Sequence, residues 1–300
     1  MADFTTDYLA LRGDGGAVRL PRDVVRVHGP DALSFLQGQL SQDVEALADG
    51  GSAWALLLQP QGKVDALVRV TRLAADDHLL DVDGGYGDRV LERLLRFKLR
   101  VKADIEPLAW PCIAIRGSQS HEIAAVAVSE DTLGLDADWP GLAGVDLIGV
   151  DPALPSDVPE CGLDAYEAVR IEAGVPAMGR EVTDRTIPAE LGILERAVSF
   201  TKGCFTGQEL VARMDARGGQ APRQLRGVIV GTNVIPPVGA RLLLDGREVG
   251  TITSVAESLE RRAPIALANV SRSVEPPADG VATWEGQEAP ARVEMLPLVP

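Results

Sequence analysis

Apolar positions along this chain keep two different periods, and the place where one gives way to the other divides it. "VRVHGPDALSFLQGQLSQDVEAL" alternates over residues 24–28 and then takes helical spacing after Gly29, with Pro30 suited to a first turn and Gly38 to a stop. "SAWALLLQPQGKVDALVRVTRL" predicts two strands joined by the turn Gln59-Pro60-Gln61-Gly62, and "HLLDVDGG" a further strand with a glycine exit. "DRVLERLLRF" sets Val90, Leu91, Leu94 and Leu95 on one helical face. "PCIAIRG" predicts a short buried strand and "HEIAAVAVSED" a helix. The proline- and glycine-rich "DWPGLAGVDLIGVDPALPSDVPECG" reads as a long connection into the helix "LDAYEAVRIEAG", which Gly174 ends.

After a helix over 207–214 the helical period disappears. "LRGVIV", "ARLLLDGREVGTITSVAES", "APIALANV" and "VATWEGQEAPARVEML" are strands and turns, with Asp245-Gly246 as a hairpin signal between two apolar runs. The domain boundary is therefore expected near Ala221-Pro222, giving an α+β region over 1–221 and an all-β barrel over 222–300.

Composition narrows the function classes. A hydrophobic content of 46% is ample for a buried core, and no apolar run reaches membrane-spanning length. The start, "MADFTTDYLALRGDGG", lacks a basic-then-apolar pattern, so a soluble, cytoplasmic chain without a signal peptide is expected. Cys112, Cys161 and Cys204 are odd in number and far apart, and His28, His78 and His121 are scattered, so neither a disulfide framework nor an intrinsic metal site is expected. A net charge of −15 argues against general binding to nucleic acid or anionic membrane. Two basic islands interrupt that charge. Residues 89–102, "RVLERLLRFKLRVK", hold six basic groups against Glu92 alone, and residues 201–226 hold Lys202, Arg213, Arg217, Arg223 and Arg226 against Glu209 and Asp215. They are either solvated faces or the seat of a local anionic ligand.

The densest chemistry lies in "TKGCFTGQEL", residues 201–210. Thr206 and Glu209 have the spacing of a capping box, and Phe205 and Leu210 that of a hydrophobic staple, so a helix is expected to open at Gly207. That leaves Lys202, Gly203, Cys204, Gly207 and Gln208 to explain. A helix N-terminus and a neighbouring lysine both favour a thiolate at Cys204. Gly203 and Gly207 would let backbone approach a bound group, and Gln208 can donate and accept at once. Lysine is scarce here, four against twenty-five arginines, which hints that a compact ammonium is wanted at 202. The other reading is a buried structural cysteine beside a well-capped helix. No histidine follows His121, so a Cys–His mechanism of the protease kind is not expected.

"KGCFTGQE" resembles the signature of the YgfZ family, folate-binding relatives of the glycine-cleavage T-protein (aminomethyltransferase). "VRVHGPDALSFLQGQLSQDVEAL", "YEAVRIEAGVPAMGREVTDRTIPAELGILERAVSF", "LVARMDARG", "REVGTITSVAES" and "IALANV" are similar to family segments, while 105–160 matches weakly. The resemblance implies a multi-lobed T-protein-like α+β fold, with two lobes in 1–221 and a C-terminal barrel. It implies a tetrahydrofolate ligand, no intrinsic metal, and a role in assembly or repair of iron–sulfur enzymes, whose client or assembly proteins would be partners. The matched positions are Lys202, Gly203, Cys204, Phe205, Thr206, Gly207, Gln208 and Glu209, with Cys204 and Lys202 as the functional pair. Phe205 stands where the family more often has tyrosine. Arg170 and Glu172 in "VRIEAG" and Glu190 in "PAELG" are folate-contact candidates; for Arg170 and Glu172 the other reading is an exposed helix pair two apart. The T-protein's adjacent aspartates are replaced in "QGKVDALV" by a lone Asp65, which speaks against glycine-cleavage turnover. Three readings stand: a folate-binding protein acting through Cys204, a folate-dependent aminomethyl- or methyltransferase, and a ligand-free scaffold.

Overall fold

The structure, a computed structural model, describes residues 3–215 and 221–300, so Arg217 of the second basic island lies outside the described residues. In chain order the elements are α1 (Phe4–Arg12), β1 (Gly16–Leu20), β2 (Arg22–His28), α2 (Ala32–Gln39), β3 (Ser52–Leu58), β4 (Val64–Ala74), β5 (Asp77–Asp83), α3 (Gly87–Phe97), β6 (Asp104–Leu108), β7 (Cys112–Arg116), α4 (Ser120–Ala125), β8 (Thr132–Asp136) and β9 (Gly144–Gly149). There follow α5 (Leu163–Ala173), a 3-10 turn (Pro188–Glu190), α6 (Leu194–Ala197), α7 (Gln208–Asp215), β10 (Arg223–Val230), β11 (Arg241–Leu244), β12 (Arg247–Ser258), β13 (Ala263–Ser271), β14 (Ala278–Trp284) and β15 (Gln287–Glu294).

The chain divides into two compact units, each built from separate stretches of sequence. One comprises Pro21–Trp110 and Ala177–Ala221; the other comprises Met1–Leu20, Pro111–Pro176 and Pro222–Pro300. The strands after Pro222 thus share a unit with two earlier segments rather than standing alone.

In the Pro21–Trp110 unit an antiparallel five-stranded sheet runs β3-β4-β5-β2-β6. Alternation puts Val25, Val27, Val64, Val68, Val70, Leu80 and Val82 into one core with Phe35 and Leu36 of α2 and Val90 and Leu94 of α3. Burying an aliphatic side chain of this size contributes roughly 1.5–3 kcal/mol before entropy is counted. α3 begins where the Asp23 carboxylate of β2 accepts the backbone N–H groups of Gly85 and Gly87, at 2.8 and 2.7 Å.

The other unit holds an antiparallel four-stranded sheet, β1-β7-β9-β8, and a closed six-stranded barrel, β10-β13-β12-β11-β14-β15. The predicted Asp245-Gly246 turn joins β11 to β12, with φ of 49° and 73° at its two residues. Gly174, at φ 73°, ends α5 and donates its N–H to Arg170 and Ile171 carbonyls.

Two expectations fail here. The long connection contains β9, whose six residues are all buried and so show no alternation. Asp146 interrupts its apolar run and is neutralised by Arg116 at 2.8 Å, a partner that only the folded sheet supplies. The helix expected over "HEIAAVAVSED" is α4, only six residues long.

Candidate functional site at Cys204

The "KGCFTGQE" loop is shaped by backbone contacts within its own unit. The Lys202 ammonium donates to the carbonyls of Gln37, Leu40 and Gln42 at 2.7, 2.8 and 2.7 Å. Two of those carbonyls belong to the end of α2 and its cap, where helical partners run out. The ammonium also lies 5.3 Å from the centre of the Phe205 ring. All three of its N–H donors are thereby committed to backbone oxygens. Burial pushes the Lys202 amine down to about 8, against an opposing pull from Asp43 and Glu45.

The capping box is not formed. Gly207 adopts φ 80°, a left-handed conformation outside the helix, and α7 begins at Gln208. Thr206 turns to the end of α2, its backbone N–H donating to Gly38 O at 3.0 Å and its hydroxyl to the same oxygen at 3.4 Å. The loop is closed by Gln208, whose Oε1 accepts the Phe205 N–H at 3.1 Å. Glu209 is exposed, and Leu210 packs against Gly62.

The requirement for glycine at 207 comes from close approach as well as from φ. A Cβ there would lie 2.5 Å from Gln59 O and 2.9 Å from Leu58 Cβ, so the helix start sits against the β3–β4 turn. At Gly203 a Cβ would meet nothing within 4 Å. Gly207→Ala should therefore destabilise the protein by about 2–4 kcal/mol, while Gly203→Ala should cost less than about 0.5 kcal/mol. Parallel urea melts of the two variants check this contrast, and equal midpoints would refute it.

Cys204 itself is exposed, whereas Cys112 and Cys161 are buried. It lines a cleft of about 300 Å³ together with Phe200, Phe205, Gln208 and Val211. Phe200 is 48% exposed at this cleft, an unusual position for an aromatic ring. The reading of Cys204 as a buried structural thiol is thereby overturned.

Asp65 is held rather than free. It accepts from Gln59 Nε2 at 3.0 Å and pairs with Arg89 Nη2 and Arg93 Nε, each at 3.2 Å. Arg93 also reaches Leu58 O at 2.8 Å, and its guanidinium stacks 3.7 Å from the Phe97 ring centre. The first basic island thus divides. Arg89 and Arg93 serve Asp65, Lys98 lies 3.9 Å from Asp104, and Arg96, Arg100 and Lys102 are exposed and make no ion pair among the described residues. The second island is divided between the units: Lys202 and Arg213 belong to one, Arg223 and Arg226 to the other.

The three folate-contact candidates are all buried, and they do not share a unit. Arg170 binds Glu167, the Val175 carbonyl and Ser254 Oγ, the last at 2.8 Å. Glu190 accepts the Ile187 N–H at 3.2 Å, capping the 3-10 turn. Arg170 is thus not the exposed helix residue of the other reading. Glu172 is fully buried, and its Oε1 accepts from the Tyr8 and Ser258 hydroxyls, each at 2.5 Å. Its Oε2 accepts no hydrogen bond and lies 3.7 Å from Arg12 Nε, while Arg12 Nη1 is likewise buried without a partner. Burial raises the Glu172 carboxyl above its ordinary range, against the opposing hydrogen bonds of Ser258 and Tyr8. Tyr8, Arg12 and Ser258 were not singled out from sequence, because nothing local marks residues that meet across so many positions. Among the described residues no group of three or more His, Cys, Asp or Glu is placed to hold a metal ion, and no helix is long and apolar enough to cross a membrane.

Comparison with known proteins bears on this geometry. Residues 23–144 match the GCVT N-terminal domain, and residues 223–299 match the glycine cleavage T-protein C-terminal barrel domain. An aminomethyltransferase of Streptomyces avermitilis is 28% identical, over 97% of this chain and 88% of its own. An aminomethyltransferase of Lysinibacillus sphaericus is 27% identical, with 77% and 71% covered, and an uncharacterized protein of Haemophilus influenzae is 28% identical, with 77% and 80% covered. The crystal structure of the glycine cleavage system aminomethyltransferase T from Bartonella henselae superposes with a TM-score of 0.85 at 22% identity, over 99% of this chain and 89% of that one. This chain therefore resembles a GCVT N-terminal domain over 23–144 and a glycine cleavage T-protein C-terminal barrel domain over 223–299, and is similar in sequence to aminomethyltransferases.

Proposed function

We propose that this protein binds a tetrahydrofolate and supports the assembly or repair of iron–sulfur enzymes through Cys204. The observation that carries this reading is the contrast between two side chains: Cys204 is displayed at a cleft, while Asp65 is fixed by two arginines and a glutamine. A carboxylate so engaged is poorly placed to serve as a base in methylene transfer, because its lone pairs already face cations. An exposed thiol beside an apolar cleft is free to react or to bind a soft metal or cluster edge in a partner.

The pterin of a reduced folate is assigned to Glu172 and Arg12. A pterin edge carries both N–H donors and a carbonyl acceptor, and Glu172 Oε2 and Arg12 Nη1 are a buried acceptor and donor without hydrogen-bond partners. Arg170, already bound by the protein, is assigned a supporting role on the same helix as Glu172, while Glu190 is engaged within the other unit. The positive charge of the chain's basic islands is expected to favour an anionic glutamate tail. When bound, a folate supplies a carrier for one-carbon groups.

The second reading, a folate-dependent aminomethyltransferase, draws on relatives that carry that name. Calorimetry with mono- and triglutamyl tetrahydrofolate at low and high salt tests the proposal, with an assay for glycine-cleavage turnover on the same sample. The expected result is tighter binding of the triglutamyl form, a preference that weakens with salt, and no turnover. No heat from a folded sample would leave the scaffold reading; equal affinity for both forms would remove the role given to the cations; turnover would favour the transferase.

A further inference from the structure

The α2 C-terminus has a problem that its own helix cannot solve. Carbonyls at a helix end have no partner four residues on, and a buried one without a donor is costly. Here the donors come from a segment some 160 positions later in the chain, from Ser199 to Thr206. Lys202 takes Gln37, Leu40 and Gln42, Thr206 takes Gly38, and the Ser199 N–H takes Ser41 at 3.0 Å. Between the anchors Lys202 and Thr206, only Gly203, Cys204 and Phe205 intervene, and the first two are exposed.

We propose that Lys202 is a positioning residue: it fastens the Cys204 loop to the end of α2, so the cleft around the thiol is shaped by a cation that does not bond to the thiol. Resting on the reading of Cys204 as the functional group, this assigns the lysine of the motif a task distinct from activating the cysteine. The choice of lysine follows from the geometry. Three carbonyls converging on one point need three donors on one atom, which an ammonium has. A guanidinium spreads its donors around a planar fork and would reach some of these oxygens at the expense of others. The presence of lysine at 202, in a chain with only four lysines, is accounted for in this way.

The test uses the full-length protein, Lys202→Arg and Lys202→Met, without folate or any client. Hydrogen exchange is followed at the Ser199 and Thr206 amides, with β4 and β5 amides as the internal reference. Cys204 is then labelled separately with N-phenylmaleimide and with iodoacetamide. Both reagents attack the same thiolate, so the ratio of their rates cancels its ionisation and reads the shape of the cleft. In both variants the two loop amides should lose at least about tenfold in protection while the reference amides keep theirs. The phenylmaleimide-to-iodoacetamide ratio should change by about fivefold or more. Wild-type behaviour of Lys202→Arg in both measurements would show that charge alone suffices and overturn the proposal. Uniform loss across loop and reference amides would reduce Lys202 to general stability and overturn it equally. If Lys202→Met does not fold, Lys202→Arg decides, and none of these outcomes touches the folate reading.

Discussion

Native protein treated with a limiting alkylating reagent at neutral pH should be modified at Cys204 faster than at Cys112 or Cys161 by on the order of a hundredfold. Cys204 is exposed, while Cys112 and Cys161 are 2% and 7% exposed, so the latter two react only when the structure opens locally. An opening free energy of about 3 kcal/mol at either site already supplies the factor. Cys161 is further handicapped because burial, reinforced by Asp7, pushes its thiol up to about 11, leaving almost no thiolate at neutral pH. Peptide mass spectrometry after timed labelling gives all three rates in one experiment. Cys204→Ala should abolish labelling of the native state, and unfolding should restore it at the remaining two cysteines. Comparable native rates at the three positions would mean that Cys204 is not displayed as described.

The second large effect concerns Asp65. Replacing it with alanine leaves Arg93, whose side chain is only 7% exposed, beside Leu58 O and the Phe97 ring but without its carboxylate. Removing one member of a buried ion pair strands the other, at a cost of about 3 kcal/mol or more. The exposed half of the arrangement matters less: Arg89, at 37% side-chain exposure, should contribute under about 1 kcal/mol to the pair. Asp65→Ala should thus be far more destabilising than Arg89→Ala, which denaturant melts of both variants would show. Equal, small shifts would mean that Asp65 is free enough to act as a base after all, and the argument against methylene transfer would lose its structural support.

The barrel was the most legible part of the chain. Its strands alternate, and Asp245-Gly246 marks a turn whose backbone needs the left-handed region, so local chemistry and fold agree there. β9 was hidden because burial on both faces erases alternation and because its one acid finds a partner on another strand. At the site, the residues of "KGCFTGQE" were legible as a group, whereas their roles were not. Thr206 has the spacing of a cap, yet it serves Gly38, and Lys202, two residues before Cys204, commits its donors to three carbonyls. Both placements share a cause: the partner is a helix end far away in sequence, which no local pattern announces. Glu172 shows the same limit, since Tyr8 and Ser258 lie 164 and 86 positions from it.

The interleaving of the two units also bears on how the molecule is made. Pro21–Trp110 emerges from the ribosome with the end of α2 uncapped, and its donors follow only after Pro111–Pro176 has been synthesised. That middle segment in turn belongs with strands that begin at Pro222. The first unit is complete only once Ala221 exists and the second only once the barrel strands exist, so folding is weighted toward late, long-range contacts. Until then the end of α2 keeps carbonyls without their donors, while the strands of the Pro21–Trp110 sheet can already pair with one another.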